Sequence, residues 1–198
     1  MSQDDVAALI LAAGESSRMG QDKALLDYRG KTFLEAIIGN LREAGIAEIV
    51  VVLGHHTELI QSTVDLDAVR VVLNPDYKRG QTSSLQVGLA AWSVAGPRAI
   101  LLCLVDHPAV SPDVMRRILD HYCQSPAPVI IPVFRGKRGH PVLIGRELFA
   151  ELIALPAQEG ANSVIRKYQS ATQLLEVEDA TILTDVDDPG AYRKLTEG

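Results

Sequence analysis

Leu9-Ile10-Leu11-Ala12-Ala13-Gly14-Glu15-Ser16-Ser17-Arg18-Met19-Gly20-Gln21-Asp22-Lys23 is the stretch that decides the fold. An apolar run from Val6 to Leu11 stops in small residues, and a polar segment then closes on a lysine. A short apolar run bounded by glycine is the pattern of a strand buried on both faces of a parallel sheet. The loop after such a strand lies at the carboxyl edge of the sheet, where open α/β folds bind ligands. Ala12, Ala13, Gly14, Ser16 and Ser17 carry little side chain, so backbone N–H groups there can approach an anion closely. Arg18 and Lys23 add the positive charge that polyphosphate oxygens require. The expectation is a loop that wraps the triphosphate of a nucleotide, against the plainer reading of a mere strand-to-helix connection.

Two standard phosphate loops do not fit. A P-loop has four residues between its glycines followed by Lys and Ser or Thr. Here five separate Gly14 from Gly20, and Gln21-Asp22 intervene before Lys23. There is no G-x-G-x-x-G to mark a dinucleotide fold.

Outward from this stretch, strands alternate with helices. Thr32 and Glu35 have capping-box spacing at the head of a helix through about Ala44. Ile49 to Leu53 and Val69 to Leu73 read as buried strands, and Ala99 to Val105, the most apolar, as the centre of the sheet. Ser111-Pro112 opens a helix to about Tyr122. Val129 to Val133 is a strand, and Phe134 to Ile144 reads as a hairpin with a basic turn, Arg135, Lys137 and Arg138. Helices follow from Gly145 to about Leu155 and from Ala161 to about Tyr168. Leu174 to Val177 and Ile182-Leu183 read as short strands before a last helix. The expected fold class is α/β: one domain over residues 1–198, a Rossmann-like, mostly parallel sheet flanked by helices, with a late β-hairpin insertion.

A chain of 198 residues builds one substantial core and not two ordinary ones. Its net charge of −6 argues against general nucleic-acid binding, yet leaves room for a local basic pocket. Cys103 and Cys123 lack metal-ligand spacing, and reduced thiols suit a cytoplasmic setting. Nothing in the chain reads as a secretion signal or membrane segment. His55, His56 and Glu58 follow a strand end, but adjacent histidines are expected to point apart, so the cluster is not read as a metal site.

Three further segments carry chemistry. Asn74 to Leu85 joins a strand to a helix, and its Gly80, Ser83 and Ser84 serve equally as a capped turn or as donors to a ligand. Asp106-His107-Pro108 puts a carboxylate at the end of the central strand, placed to hold Mg²⁺ against phosphates or simply to cap the next turn. Asp185 and Asp187 share a face if their segment is extended, and an acidic helix start also stabilises itself.

These segments together resemble the nucleotidyltransferases related to molybdenum cofactor guanylyl- and cytidylyltransferases. The quoted stretch reads L-A-A-G-x-S-S-R-M-G-x-x-K, and its double alanine is closer to the cytidylyl branch, since guanylyltransferases typically carry L-A-G-G. Residues 74–85 match N-x-x-Y-x-x-G-x-x-x-S-L, and Gly139-His140-Pro141 matches a G-H-P segment. Asp106 stands in a D-Q-P element with His107 replacing the glutamine, and Asp185-Val186-Asp187-Asp188-Pro189 resembles D-I-D-T-P. The resemblance implies a nucleotide-diphospho-sugar transferase-like fold and Mg²⁺-dependent transfer of NMP from an NTP to a phosphate, releasing pyrophosphate. It implies nucleotide contacts from Leu11, Ala12, Ala13, Gly14, Ser16, Ser17, Arg18, Lys23, Asn74, Gly80, Ser83 and Ser84. It implies an acceptor side at His107, Arg138 and His140, with His107 equally readable as a packed turn residue. Asp106 is the implied metal ligand, joined by Asp187 ahead of Asp185, and Arg18, Lys23 and Asp106 carry the chemistry. The expected partners are CTP, ahead of GTP, and a phosphate-bearing acceptor such as molybdopterin cofactor, with a molybdoenzyme to receive the product. A transferase for a sugar or alcohol phosphate, or a nucleotide- or pterin-binding chaperone without turnover, are the alternatives.

Overall fold

The apolar run becomes β1 (Val6–Ala12), with all seven residues buried. After the polar loop comes a short 3-10 turn, Lys23–Leu25, then a two-residue ribbon of β2 (Asp27–Tyr28) and β3 (Lys31–Thr32). Helix α1 (Phe33–Glu43) starts on the expected capping box, with Thr32 and Glu35 satisfying each other's backbone N–H groups. Next come β4 (Ile49–Leu53), α2 (Thr57–Thr63), β5 (Arg70–Leu73), α3 (Gln81–Ala90) and β6 (Ala99–Leu104). Ser111 caps α4 (Pro112–Gln124), accepting from the Val114 N–H with proline in the first turn. The chain continues through β7 (Val129–Phe134), β8 (Lys137–Arg138), β9 (Val142–Gly145), α5 (Phe149–Ile153), α6 (Ala161–Lys167), β10 (Thr172–Glu176) and α7 (Pro189–Glu197). This is a computed structural model, and it describes residues 5–92, 96–156 and 158–197.

The strands form one sheet in the order β10-β7-β9-β6-β1-β4-β5, with β8 added on β7. β6 is the middle strand, as its composition suggests. The β1–β6, β1–β4, β4–β5 and β7–β10 pairs are parallel. Alternation along the strands assigns the two faces. Ala8, Ile10 and Val51 pack with Leu34, Ile37, Leu41, Ile118 and Leu119 from α1 and α4. On the other face Leu9, Leu11 and Val52 pack with Leu85, Leu89, Leu152 and Val164 from α3, α5 and α6. Among the described residues no helix is long and apolar enough to cross a membrane.

Two expectations are corrected. The hairpin at 134–144 is only the two-residue ribbon β7–β8, turned at Arg135 and Gly136, both at positive φ. Val142–Gly145 instead enters the main sheet antiparallel between β6 and β7, because all four of its residues are buried and need sheet on both edges. Ile182-Leu183 is not a strand but part of a 3-10 turn, Ala180–Leu183, which the Asp179 carboxylate caps by accepting from the Thr181 N–H at 2.9 Å.

Candidate functional site

Three segments distant in sequence meet at the carboxyl edge of β1 and β6. The Lys23 side chain, 13% exposed, places Nζ 2.7 Å from Asp187 Oδ1 and 3.3 Å from Asp106 Oδ2. Its position is fixed from behind, where the Lys23 N–H donates to Ser16 Oγ at 3.0 Å. Asp106 lies two residues past the end of β6. Asp187 lies on a strap before α7, held because the Val186 N–H donates to the Asp106 carbonyl at 3.0 Å. Val186 is itself buried with Leu26 and Phe33, so apolar packing anchors the strap and aims its carboxylate. The Lys23 hydrogen bond and charge hold the Asp187 carboxyl below its usual range. Arg18 reaches Asp187 at 3.5 Å but is 75% exposed, so that pair contributes little to the fold and remains available to an anion. Asp185 is not bonded to Lys23, though its charge is felt at His107 and His140.

A cleft of ≈ 240 Å³ opens beside these charges, between Ala13, Gly14 and Ser16 on one side and Tyr77, Gly80, Gln81 and Ser84 on the other. Leu11 and Ala12 form its floor. The walls stand close because Gly54 has no side chain: a Cβ there would lie 2.7 Å from Tyr77 Cβ and 2.8 Å from the Ala13 carbonyl. Ser17 and Arg18 border a shallower extension with Ser16, Lys23 and Asp187.

Not every residue of the 74–85 segment faces that cleft. Asn74 is buried, and its Nδ2 donates to Ser83 Oγ at 2.9 Å and Ser84 Oγ at 3.0 Å, while its Oδ1 accepts from the Asp76 N–H at 3.0 Å. Ser83 Oγ turns inward to the Asp76 and Gly80 carbonyls. Helix α3 begins at Gly80, at φ 97°, without the side-chain cap the sequence suggests. Asn74 and Ser83 therefore brace the wall from inside, while Gly80 and Ser84 line it. Tyr77 and Gln81 are wall residues that the sequence reading did not single out; Tyr77 stands in the quoted motif, which is the signal available for it.

On the far side of Asp106, the His107 and His140 rings lie 4.9 Å apart over Cys103, Val110, Met115 and Pro141. Burial drives the His140 imidazole down to about 4, reinforced by His107 and opposed by Asp106. Burial also lowers His107, against the pull of Asp106 and Asp185. Both rings are thus neutral at neutral pH, and Cys103 below them is a buried thiol pushed up to about 12. Arg138 is exposed on β8, two residues before His140.

A divalent cation is testable against one feature here. Asp106 Oδ1 is buried without a hydrogen-bond partner, with the His107 ring's Nε2 3.7 Å away. A carboxylate oxygen so placed, with Asp187 nearby, fits a hard oxygen-seeking ion. Among the described residues one other ligand cluster occurs, and it corrects the expectation for the histidine pair. His55 and His56 do not point apart: their rings lie 3.6 Å from centroid to centroid and both present Nδ1 to the buried Asp22 carboxylate. The cause is the left-handed backbone of His56, at φ 46°, which folds its ring back beside its neighbour.

The comparisons with known proteins bear on family and fold. The family model described as MobA-like NTP transferase domain matches residues 8–172. Nicotine blue oxidoreductase of Paenarthrobacter nicotinovorans is 30% identical over 92% of both chains. Molybdenum cofactor cytidylyltransferase of Escherichia coli (strain K12) is 27% identical over 94% of this chain and 93% of its own. The crystal structure of Rv0371c from Mycobacterium tuberculosis H37Rv superposes with a TM-score of 0.88 at 31% identity over all of both chains, and the same protein has been crystallised with manganese. Solved structures at 16% identity and below share the fold alone, with TM-scores of 0.74 to 0.75, a CTP-bound sugar-acid synthetase among them, and that fold is nucleotide-diphospho-sugar transferase-like. A sheet edge that gathers Lys23, Asp106 and Asp187 beside a small-residue loop, and a family model spanning most of the chain, lead to one statement: the chain belongs to the MobA-like NTP transferase family.

Proposed function

We propose that this chain is a nucleotidyltransferase that moves CMP from CTP onto a phosphate-bearing acceptor, molybdopterin-type cofactor first among the candidates, and releases pyrophosphate. The observation that carries the reading is the convergence of Lys23, Asp106 and Asp187 on one cleft edge, with Asp106 Oδ1 buried and unpaired. Binding is the work of the 13–17 loop, whose amides meet the phosphates while Arg18 and Lys23 neutralise their charge. Gly80 and Ser84 border the base and ribose side of the cleft. Asp106 and Asp187 would hold Mg²⁺, which in phosphoryl chemistry neutralises oxygen charge and helps align the attacking group. Lys23 Nζ, which lies between the two carboxylates, would then be available to the phosphate oxygens. Such chemistry needs positioning and charge neutralisation more than a side-chain nucleophile, which fits the lack of any Ser-His-Asp constellation among the described residues. His107 and His140, neutral and half-buried, form an acceptor wall that donates or accepts hydrogen bonds without adding charge; Arg138 contributes only if the acceptor reaches the β8 turn.

The likeness to the cytidylyltransferase and the Ala12-Ala13 pair support CTP, and the acceptor is supported by likeness alone. Because a relative of similar identity is named an oxidoreductase, the assay reads products directly. Pyrophosphate and the nucleotide-linked product are measured with CTP or GTP, Mg²⁺, and a panel of molybdopterin cofactor, sugar phosphates and alcohol phosphates. Metal-dependent pyrophosphate release with CTP and the pterin is the expected result. Release only with a sugar or alcohol phosphate moves the chain to the related transferases. Tight CTP binding without product makes it a binding module.

A further inference from the structure

The cluster of Asp22, His55 and His56 lies outside the machinery just described. We infer that it is a second metal site, selective for a divalent ion that takes imidazole nitrogen, zinc foremost, and that it clamps the nucleotide loop to the end of β4. Binding of the ion does not rest on the nucleotidyltransferase reading; only the role of the clamped loop does.

Charge comes first. The Asp22 side chain is 3% exposed, and the partners its carboxylate has among the described residues are the two imidazoles. Lys23, the next residue, points away to Asp106 and Asp187. A divalent ion between this buried carboxylate and two imidazoles would compensate its charge. Geometry comes second. Asp22 Oδ2 stands 2.5 Å from His56 Nδ1, a hydrogen bond; Oδ1 stands 3.7 Å from His55 Nδ1, too far for one. His55 Nδ1 is buried and has no hydrogen-bond partner, although it faces the carboxylate. All three donor atoms lie within 4.8 Å of one another. Tetrahedral zinc with bonds near 2.0–2.1 Å sets its ligand atoms roughly 3.3 Å apart. His55 Nδ1 stands a little wider than that spacing from Oδ1, and His56 Nδ1 closer than it to Oδ2, so one ion shared by the three groups takes a shift of about 1 Å in the exposed His56 ring.

Donor chemistry selects the ion. Two imidazoles and one carboxylate suit zinc and its neighbours in the first transition row, whereas Mg²⁺ prefers oxygen alone. The two sites are thereby separated: the all-carboxylate pair Asp106 and Asp187 for the hard ion, the nitrogen-rich cluster for the softer one. Backbone conformation supports the assignment, since a left-handed His56 is needed to turn both Nδ1 atoms to one point. The consequence is mechanical. Asp22 immediately precedes Lys23 and lines the cleft, so an ion held here ties the end of the phosphate loop to the β4–α2 connection.

The test uses the full-length, metal-stripped protein in excess Mg²⁺, titrated with Co²⁺ by visible absorption and with Zn²⁺ by calorimetry. One equivalent is expected to bind, with ligand-field bands, and Zn²⁺ is expected to raise Tm. His55→Gln and His56→Gln should each weaken binding at least tenfold and abolish the Tm rise, while Asp106→Asn leaves both unchanged. Circular dichroism of the metal-free variants checks that they fold; His55→Gln, which breaks no hydrogen bond, is the variant that decides if His56→Gln does not. Binding that survives His55→Gln, that disappears in Asp106→Asn, or that never reaches one equivalent overturns the assignment.

Discussion

The loops after β1 and after β5 flank the same cleft and draw on the same small, hydroxyl-bearing and charged residues, yet they turn them in opposite directions. In the first, Gly14, Ser17 and Arg18 are exposed, and the space where a Gly14 side chain would sit is empty for 4 Å around. In the second, Asn74, Thr82, Ser83 and Ser84 are buried, Asn74 bonds both serines, and Thr82 Oγ1 donates to the Glu159 carbonyl at 2.7 Å. One wall of the cleft keeps its polar groups open for a charged ligand; the other satisfies its own and becomes rigid. The pairing makes physical sense, because an open loop positions a ligand well only against a surface that does not yield.

Substitutions that separate rate from stability test this contrast. The largest effect is expected at Lys23. Lys23→Ala removes an electrostatic donor and should lower turnover about 100-fold, roughly 3 kcal/mol in transition-state terms, with little change in Tm. Steady-state pyrophosphate release and a thermal melt give both numbers, and unchanged kinetics would remove Lys23 from the mechanism. Asn74→Ala should do the reverse. It strands the buried Ser84 hydroxyl and the Asp76 N–H and takes a donor from Ser83, which keeps its carbonyl partners, at about 2 kcal/mol of folding stability, while kcat falls far less than in Lys23→Ala. Urea unfolding reads the loss. A stable Asn74→Ala with a 100-fold loss of rate would mean that the second wall, too, addresses the ligand directly.

The His140 ring sharpens the contrast through pH. It is held neutral, with its folded value at about 4 against an ordinary 6.5. Between those values the unfolded chain binds a proton that the folded one refuses, so stability is full above about 6.5 and falls as the pH drops toward about 4. The full shift corresponds to roughly 3 kcal/mol, and partial exposure and the neighbouring His107 reduce it to about 1–2 kcal/mol. His140→Gln should flatten that part of the profile, measured by urea unfolding at several pH values. A profile with the wild-type slope would show that some other group carries the acid sensitivity.

Much of the architecture was legible because it rests on local signals: a buried apolar run ending in small residues for β1, the Thr32–Glu35 box for α1, Ser111-Pro112 for α4. Val142–Gly145 was misplaced because a four-residue apolar strand looks the same whether it closes a hairpin or enters the main sheet. In the candidate site, the nearness of Lys23 to Asp106 followed from strand ends sharing one edge, whereas Asp187 was named only through the resemblance, and the Val186 anchor that aims it has no local signature. The inward turn of Asn74 and Ser83 was hidden, since a motif names residue types and not the direction in which their polar atoms point. The Asp22 cluster was missed for a related reason. Its histidines converge only through one left-handed residue, and its third ligand lies more than thirty positions upstream.

The smallest expected effect falls where the two kinds of wall meet. Ser16 belongs to the open loop, yet its hydroxyl does internal work, accepting the Lys23 N–H at 3.0 Å. It also has φ 50°, and its carbonyl accepts from the Met19 N–H at 2.8 Å, so the residue makes a turn as well as a bond. Ser16→Ala removes the acceptor and keeps a side chain in the left-handed region. Ser16→Gly removes the same acceptor but relaxes the backbone. If the hydroxyl matters for holding Lys23, both variants should lose about 1 kcal/mol of transition-state stabilisation, close to fivefold in kcat/KM. If the turn is what matters, Ser16→Gly retains wild-type kinetics and only Ser16→Ala is impaired. The side-by-side kinetics of the two variants therefore decide whether the open loop is ordered by its own hydrogen bond or by backbone shape alone, and so how far the contrast between the walls extends.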